Sequence, residues 1–438
     1  MVYINYSILI VFMRSFINNF NVTNAFNKIS LKLAVFLSFC IPPAIISGPF
    51  FSDLFVSVIA LLFLIKCIIK SEFLWLRNDI ISILIIFYFY ILIGSLRSDY
   101  VFLSLESSLF YFRFILFSAA LAWWILPNMK SSKILFYSIL ISYLFVLMDG
   151  FIQYYFGTDL FGYKLQVYHV SGPFGDDLVL GKYLAIWSAV VTGILISKFL
   201  FQKEKLFLSV LVFIAADLLI FLSGQRVAFL MLLMSSGLIL LFYKKYKILR
   251  ITTLILSILF GILIISFNKN VQTQMIDKTI NQLTIKEGKY FLQDDFYGAI
   301  YITAYNIFLD NPILGIGVKN YREECKKPKY SKISATESFY RCSTHPHNTY
   351  LQILAETGLV GFSIFLIFVI LILKRLYLYI FVYSRNDNIY YIFPLIGLLT
   401  ILWPIMPNNN FFNNWGSVNF FFLLALLLSW EKKFFINQ

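Results

Sequence analysis

Long apolar runs separated by short polar breaks dominate the chain. About twelve runs approach the roughly 20 residues that a helix needs to cross a bilayer core of about 30 Å. They lie at 31–49, 52–69, 79–96, 107–127, 134–156, 178–199, 206–223, 227–243, 250–267, 350–373, 390–406 and 416–430. Strands of a membrane barrel would be near 10 residues with alternating polarity, and these runs are too long and too evenly apolar for that. The pattern therefore predicts an all-α polytopic membrane protein. Its segments are an N-terminal stretch 1–30, helices one to nine over 31–267, a large polar loop over 268–349, helices ten to twelve over 350–430 and a short tail 431–438.

Composition agrees. Hydrophobic residues make up 60% of the 438 positions and charged residues 13%, which excludes a soluble globular enzyme, a disordered chain and a small disulfide scaffold. The net charge of +14 would suit nucleic acid, but its placement argues otherwise. One set of alternate loops is basic: Arg14 and Lys28; Lys66, Lys70 and Arg77; Lys130 and Lys133; Lys198, Lys203 and Lys205; Lys244, Lys245, Lys247 and Arg250; Lys374, Arg375 and Arg385; Lys432 and Lys433. The intervening short loops hold only Arg97, Lys164 and Arg226. Cytoplasmic loops carry the excess of Lys and Arg, so the expectation is two cytoplasmic termini and no nucleic-acid partner. The short apolar run Ile8–Met13, with no small-residue cleavage site after it, does not read as a secretory signal.

The loop 268–349 breaks this rhythm. Long loops are translocated whatever their charge, so it is expected on the non-cytoplasmic side, and a loop of this length usually serves function. Within it Asp294–Asp310 has helical spacing through Tyr297, Ile300, Tyr301, Ala304, Ile307 and Phe308. Asn311-Pro312 ends the helix, and Gly315 and Gly317 follow as a flexible turn. The helix reads either as a cap on the bundle or membrane surface or as a lid over a lipid-facing site. Cys325 and Cys342 would be on the oxidising side, where they form a bridge or remain two thiols; a bridge would be worth about 3 kcal/mol by loop-closure entropy.

Histidine is scarce: His169, His345 and His347. Two fall in Thr344-His345-Pro346-His347-Asn348, just before an apolar helix that Asn348 or Thr349 can cap. A neutral imidazole there is a reasonable general base. The metal reading of His-x-His lacks further ligands nearby. Glu356 lies about two and a half turns deeper, where a carboxylate must be paired, with Arg226 or Lys182 for example, or catalytic. Arg226 follows Ser223-Gly224-Gln225 in a short turn, as a diphosphate-binding fork or a snorkelling side chain. Ser171-Gly172-Pro173-Phe174-Gly175-Asp176-Asp177 precedes a helix; Gly172 and Gly175 permit close approach of an anion, while the two aspartates suit a sugar hydroxyl or Lys182. Arg113, Asp149, Lys182 and Asp217 lie in apolar runs, as functional groups or as partners of one another.

His347-Asn348, nine residues, Gly358, two residues and Gly361 resembles the signature of the bacterial O-antigen ligase and polymerase family. The runs Asn311-Pro312-Ile313-Leu314-Gly315-Ile316-Gly317, Ser223-Gly224-Gln225-Arg226 and Ser171-Gly172-Pro173-Phe174-Gly175 fit it too. The resemblance implies an inverting, metal-independent glycosyltransferase of the inner membrane. It would need no cofactor, act on the periplasmic face, and take its glycan from undecaprenyl diphosphate. The acceptor would be lipid A–core saccharide for a ligase, or a lipid-linked repeat unit for a polymerase; transfer to protein and transport without chemistry are the more distant alternatives. His347 would be the general base, Arg226 would meet the diphosphate, and Glu356, His345, Asn348 and the 171–175 turn would line the site. Family members often carry a second arginine near the position of Tyr297, absent from Asp294-Asp295-Phe296-Tyr297-Gly298. Lys289, Lys319, Arg322, Arg341, Arg113 and Lys182 are the candidates to replace it.

Overall fold

A computed structural model describes residues 20–127, 129–167, 169–197, 206–243, 247–283, 296–331, 341–383 and 389–436. Each apolar run lies largely on a helix. The helices of eight or more residues are α1 (Phe20–Ser47), α2 (Pro49–Lys70), α3 (Asp79–Leu96), α4 (Val101–Ser108), α5 (Phe112–Ala120), α6 (Met129–Phe156) and α7 (Leu180–Ile196). They continue with α8 (Leu206–Leu222), α9 (Arg226–Phe242), α10 (Lys247–Phe267), α11 (Phe296–Asp310), α12 (Thr349–Leu378), α13 (Ile389–Ile401) and α14 (Asn414–Ile436). Among the described residues, seven helical stretches are long and apolar enough to cross a membrane: Phe26–Ser47, Pro49–Lys70, Asp79–Leu96, Val101–Ile125, Ser131–Phe156, Lys247–Phe267 and Thr349–Val382. The apolar helices α7, α8, α9 and α13 are shorter. The protein is a polytopic helical membrane protein; β-pairing among the described residues is confined to isolated bridges, Thr158 with Lys164 and Gln166 with His169.

A helix apolar on every side belongs in the middle, and α14 is that helix. Val418 and every residue from Phe420 to Leu428 are buried. α13, α5, α2 and α1 pack around it. The one amide in this stretch, Asn419, accepts from the Trp187 indole N–H at 2.7 Å. α12 packs on α3 and α11, and α10 stands at the edge against α8.

Two of the intramembrane charges are paired. Asp217 takes both Nη1 and Nη2 of Arg250, at 2.9 and 3.0 Å, and a Ser257 hydroxyl at 3.1 Å. Arg250, read from sequence as a loop residue, is buried on the first turn of α10. Arg113 donates from Nε to Asp53 at 2.7 Å and from Nη2 to Asn414 at 3.1 Å. Asp149 accepts the Leu160 N–H at 3.0 Å. Asp217 and Arg113 are thus paired inside the bundle, though with Arg250 and Asp53 and not with each other.

The turns fall into two groups. One end gathers Gly48, the described residues of 157–179, Ser223–Gln225, the described residues of the long loop and 402–413, tied by Lys327 to Asp99 at 3.1 Å and Lys319 to Glu106 at 3.7 Å. The other end carries Lys66 with Glu72, and Arg375 with Asp79 and Glu431.

Candidate active site

The site starts from a break in a helix. α12 opens at Asn348, whose Oδ1 accepts the N–H groups of Tyr350 and Leu351, each at 3.0 Å, while its Nδ2 donates to the Pro404 carbonyl at 2.7 Å. Asn348 is therefore a cap, as the Asn-Thr sequence allowed, and both ends of its amide are engaged. At Gly358 the backbone turns to φ 63° and the helix is interrupted. The Asn311–Gly317 segment lies in the interruption like a short strand. Leu359 N–H donates to Pro312 O at 2.8 Å, Gly317 N–H to Glu356 O at 2.9 Å, and Ile316 N–H to Ala355 O at 3.2 Å. A Cβ on Gly315 would stand 2.5 Å from the Glu356 carbonyl carbon and the Gly358 nitrogen. The turn read as flexible is thus held, and its glycines are there for backbone contact. Two sequence motifs far apart in the chain are two halves of one crossing.

The crossing fixes the residues just before it. His347 has φ 55°, a left-handed conformation that costs a non-glycine residue on the order of 1 kcal/mol. Its carbonyl accepts the Asn408 N–H at 2.7 Å, and Ser343 Oγ lies 3.0 Å from its Nε2. The His345 ring sits 4.1 Å from the His347 ring, centroid to centroid; its Nε2 lies 3.1 Å from the Asn408 carbonyl and its Nδ1 2.9 Å from Thr344 Oγ1. Tyr297, where the resemblance would place an arginine, is edge-on to His347 at 5.7 Å. Burial, with the Lys182 ammonium second, pushes the His347 imidazole down to about 4. His345 is pushed down to about 3 by burial, then by His347, with Lys182 and Arg322 adding to it. Both rings are neutral near pH 7, as a general base must be.

The loop between α13 and α14 completes the site, and sequence reading passed it over. Three consecutive asparagines each hold something different. Asn408 engages both histidines through its backbone; Asn409 Oδ1 accepts from Lys182 Nζ at 2.8 Å; Asn410 Oδ1 accepts from Gln352 Nε2 at 2.8 Å. The same Gln352 amide donates to Glu356 Oε2 at 3.1 Å, and its Oε1 accepts the Phe411 N–H at 3.0 Å. Five asparagines within Asn408–Asn414, between two apolar helices, were the available signal.

Other candidates fall elsewhere. Glu356 is buried and pairs with neither Arg226 nor Lys182; Oε1 has no hydrogen-bond partner, although the backbone of Lys319 and Tyr321 lies against the carboxyl and Arg322 is near enough to act on its charge. Arg226 begins α9 and acts, with Lys278, on the charge of His169, whose Nδ1 lies 3.1 Å from the Ser223 carbonyl. Its neighbour Gln225 accepts the Lys182 N–H at 3.3 Å, so the two cations begin adjacent helices. The N–H groups of Ser171 and Gly172 both go to Gln153 Oε1 at 2.8 Å and are spent on the fold, not offered to an anion. A Cβ on Gly172 would strike Leu180, and one on Gly175 the Tyr163 ring. Arg341 donates to the carbonyls of Cys325 at 3.1 Å and Lys326 at 3.5 Å. Lys289, Asp294 and Asp295 lie outside the described residues, as do most of segment 1–30, the last tail residues and several loop lysines, among them Lys198, Lys203 and Lys205.

Residues 207–366 match the O-antigen ligase family model. The match covers a little over a third of the chain, from α8 to just beyond the break in α12. It takes in Arg226, Tyr297, both site histidines and Glu356, and stops short of Lys182 and the asparagine loop. No curated protein matches the chain. Within the matched stretch, α11 buries Ala299, Ile300, Thr303, Ala304 and Ile307 and packs on α12. Cys325 and Cys342 are disulfide-bonded, with Cα atoms 5.4 Å apart, and close the segment that leads into His345 and His347. Replacing both with alanine is expected to lower stability by about 3 kcal/mol. Thermal unfolding in detergent checks it: an unchanged midpoint would mean that the contacts of Tyr321 and Arg341 hold this segment alone.

Proposed function

We propose that the protein is an O-antigen ligase-like inverting glycosyltransferase. It moves a glycan from undecaprenyl diphosphate to a lipid A–core saccharide at the periplasmic face of a bacterial inner membrane. The observation that carries this reading is the neutral His347, held in a strained backbone beside Lys182 at the site-bearing end. His347 takes the proton of the acceptor hydroxyl. The freed oxygen attacks the anomeric carbon of the donor sugar from the side opposite the diphosphate, the carbon–oxygen bond to the diphosphate breaks, and the lipid diphosphate leaves with the electron pair. Configuration at that carbon is inverted. Arg226 and Lys182, at the starts of adjacent helices, offset the charge of the leaving group, with Lys182 in the role of the arginine absent at Tyr297. Glu356, through Gln352 and Asn410, positions the loop that contacts both histidines and Lys182. Among the described residues no group of three or more His, Cys, Asp and Glu side chains is gathered as metal ligands.

A polymerase that joins lipid-linked repeat units is the second reading, since the family resemblance covers both. The surface glycolipid of a deletion strain, run on a gel beside its lipid-linked glycan pool, separates them. Loss of every glycan-bearing band, with long polymer accumulating on the carrier, is the expected ligase result. Survival of core bearing a single repeat unit would mean a polymerase, and an unchanged profile would count against both.

A further inference from the structure

An opening lies beside His345. It is a cleft of roughly 730 Å³ walled by the α1–α2 turn, the 163–179 segment, the Lys319–Arg322 region and the asparagine loop. His345 and Thr344 form part of its lining. Its chemistry differs from that of the lipid-facing surfaces. The Oδ1 atoms of Asn409, Asn410 and Asn413 are engaged within the protein, which leaves their Nδ2 groups as donors, and the exposed Tyr163 offers a ring face, a combination that hydrogen-bonds and stacks on sugar rings.

Arg322 also lines this cleft. Among the described residues its guanidinium makes no hydrogen bond and no ion pair, and its Nε is buried without a partner. Arg322 is half-buried, and a guanidinium whose Nε is shut away from water with no acceptor is costly unless something anionic meets its fork. Glu356 is near enough for Arg322 to act on its charge, but forms no ion pair with it among the described residues and is already bonded to Gln352. Lys319, on the same wall, has only the exposed Glu106, at 3.7 Å. Arg322 is near enough to His345 to act on its charge, so a ligand whose acid group meets Arg322 extends toward the histidines.

We propose that this cleft is the acceptor subsite and that it selects an acidic saccharide, one bearing a carboxylate or a phosphate that Arg322 and Lys319 hold. This rests on the glycosyl-transfer reading and adds to it the charge class of the acceptor. The guanidinium fork suits either acid, because both present paired oxygens.

The test uses the full chain in nanodiscs with a lipid diphosphate-linked glycan donor and three matched trisaccharide acceptors: neutral, glucuronate-bearing and phosphate-bearing. Wild type is expected to prefer the acidic acceptors over the neutral one by about tenfold in kcat/KM, the scale of one charge-assisted hydrogen-bonded contact. R322Q should bring that ratio near one, R322K should restore part of it, and K319Q should reduce it by less. Carboxylate and phosphate acceptors that differ from each other identify which acid is the ligand. Equal use of neutral and acidic acceptors by wild type would overturn the proposal. So would a rise in the donor KM of R322Q with the acceptor preference intact, which would put the guanidinium on the diphosphate. Calorimetric binding of the same trisaccharides without donor separates the two ideas: Arg322-dependent binding of the acidic ones by a protein that transfers nothing would keep the subsite and discard the transfer.

Discussion

Replacing His347 with alanine is expected to lower kcat by about 10²- to 10⁴-fold, the range that a positioned general base contributes. The protein should still fold, because its backbone bonds, Asn408 N–H to the 347 carbonyl among them, do not depend on the imidazole. Donor KM should change little, since the cations beside the ring remain. The pH profile carries a sharper form of the same expectation. An isolated histidine would lose its basic form below pH 6.5, whereas in the fold burial and then Lys182 hold the imidazole down to about 4. The acid limb of kcat/KM, which reports the free enzyme, should therefore fall near pH 4. Removing the second cause by Lys182→Met should move that limb upward, though not to 6.5, because burial is the larger cause. The same shift bears on stability. Above pH 6.5 neither the folded nor the unfolded ring is protonated and nothing is lost. Between 6.5 and about 4 the unfolded chain takes a proton that the fold refuses, and stability declines across that window. An acid limb that stays at 6.5, or that ignores Lys182→Met, would mean that another group is the base.

The second large effect is expected from backbone contact and not from the loss of an ionisable side chain. Gly315→Ala should destabilise the protein by about 3 kcal/mol, the sum of a left-handed backbone at a non-glycine residue and an overlap that no rotamer relieves. The position has φ 70°, and the added carbon would meet backbone atoms of Glu356, Thr357 and Gly358, which cannot swing aside as a side-chain tip can. Opening the crossing would also shift the first turn of α12 and the residues it caps, so transfer should fall further than the folded fraction does. Gly237→Ala is the comparison: nothing lies within 4 Å of its would-be Cβ and it sits in a helix, where alanine is favoured. Comparable melting of the two variants in detergent would show that the crossing is looser than its hydrogen bonds imply.

The helices and the candidate base were legible in the sequence for different reasons. Hydrophobic runs of membrane length have few alternative meanings, so the apolar stretches reappear as helices, including α14, buried from Phe420 to Leu428. His347 stood out because histidine is rare here and sits at a cap signal that the structure reproduces at Asn348. What stayed hidden depends on contacts distant in the chain. Nothing local to Gly315 announces that it meets Gly358; spacing and turn chemistry suggested flexibility, and only the folded backbone shows close contact. Arg113 and Arg341 carried the right charge for a phosphate ligand, but Asp53 and backbone carbonyls had claimed them. The asparagine loop was missed because Asn signals turns so often that a site made of turn residues looks like a turn.

The bridge between Cys325 and Cys342 has a further consequence, in time. A chain leaving the ribosome has neither the crossing nor the bridge, and the bridge needs an oxidant that the cytosol does not provide. On the proposed topology, the segment entering His345 is therefore finished only after export. Newly made protein passes through a dithiol stage whose length is set by the cell's thiol-oxidising capacity, and the amount of mature protein is coupled to that supply as well as to synthesis.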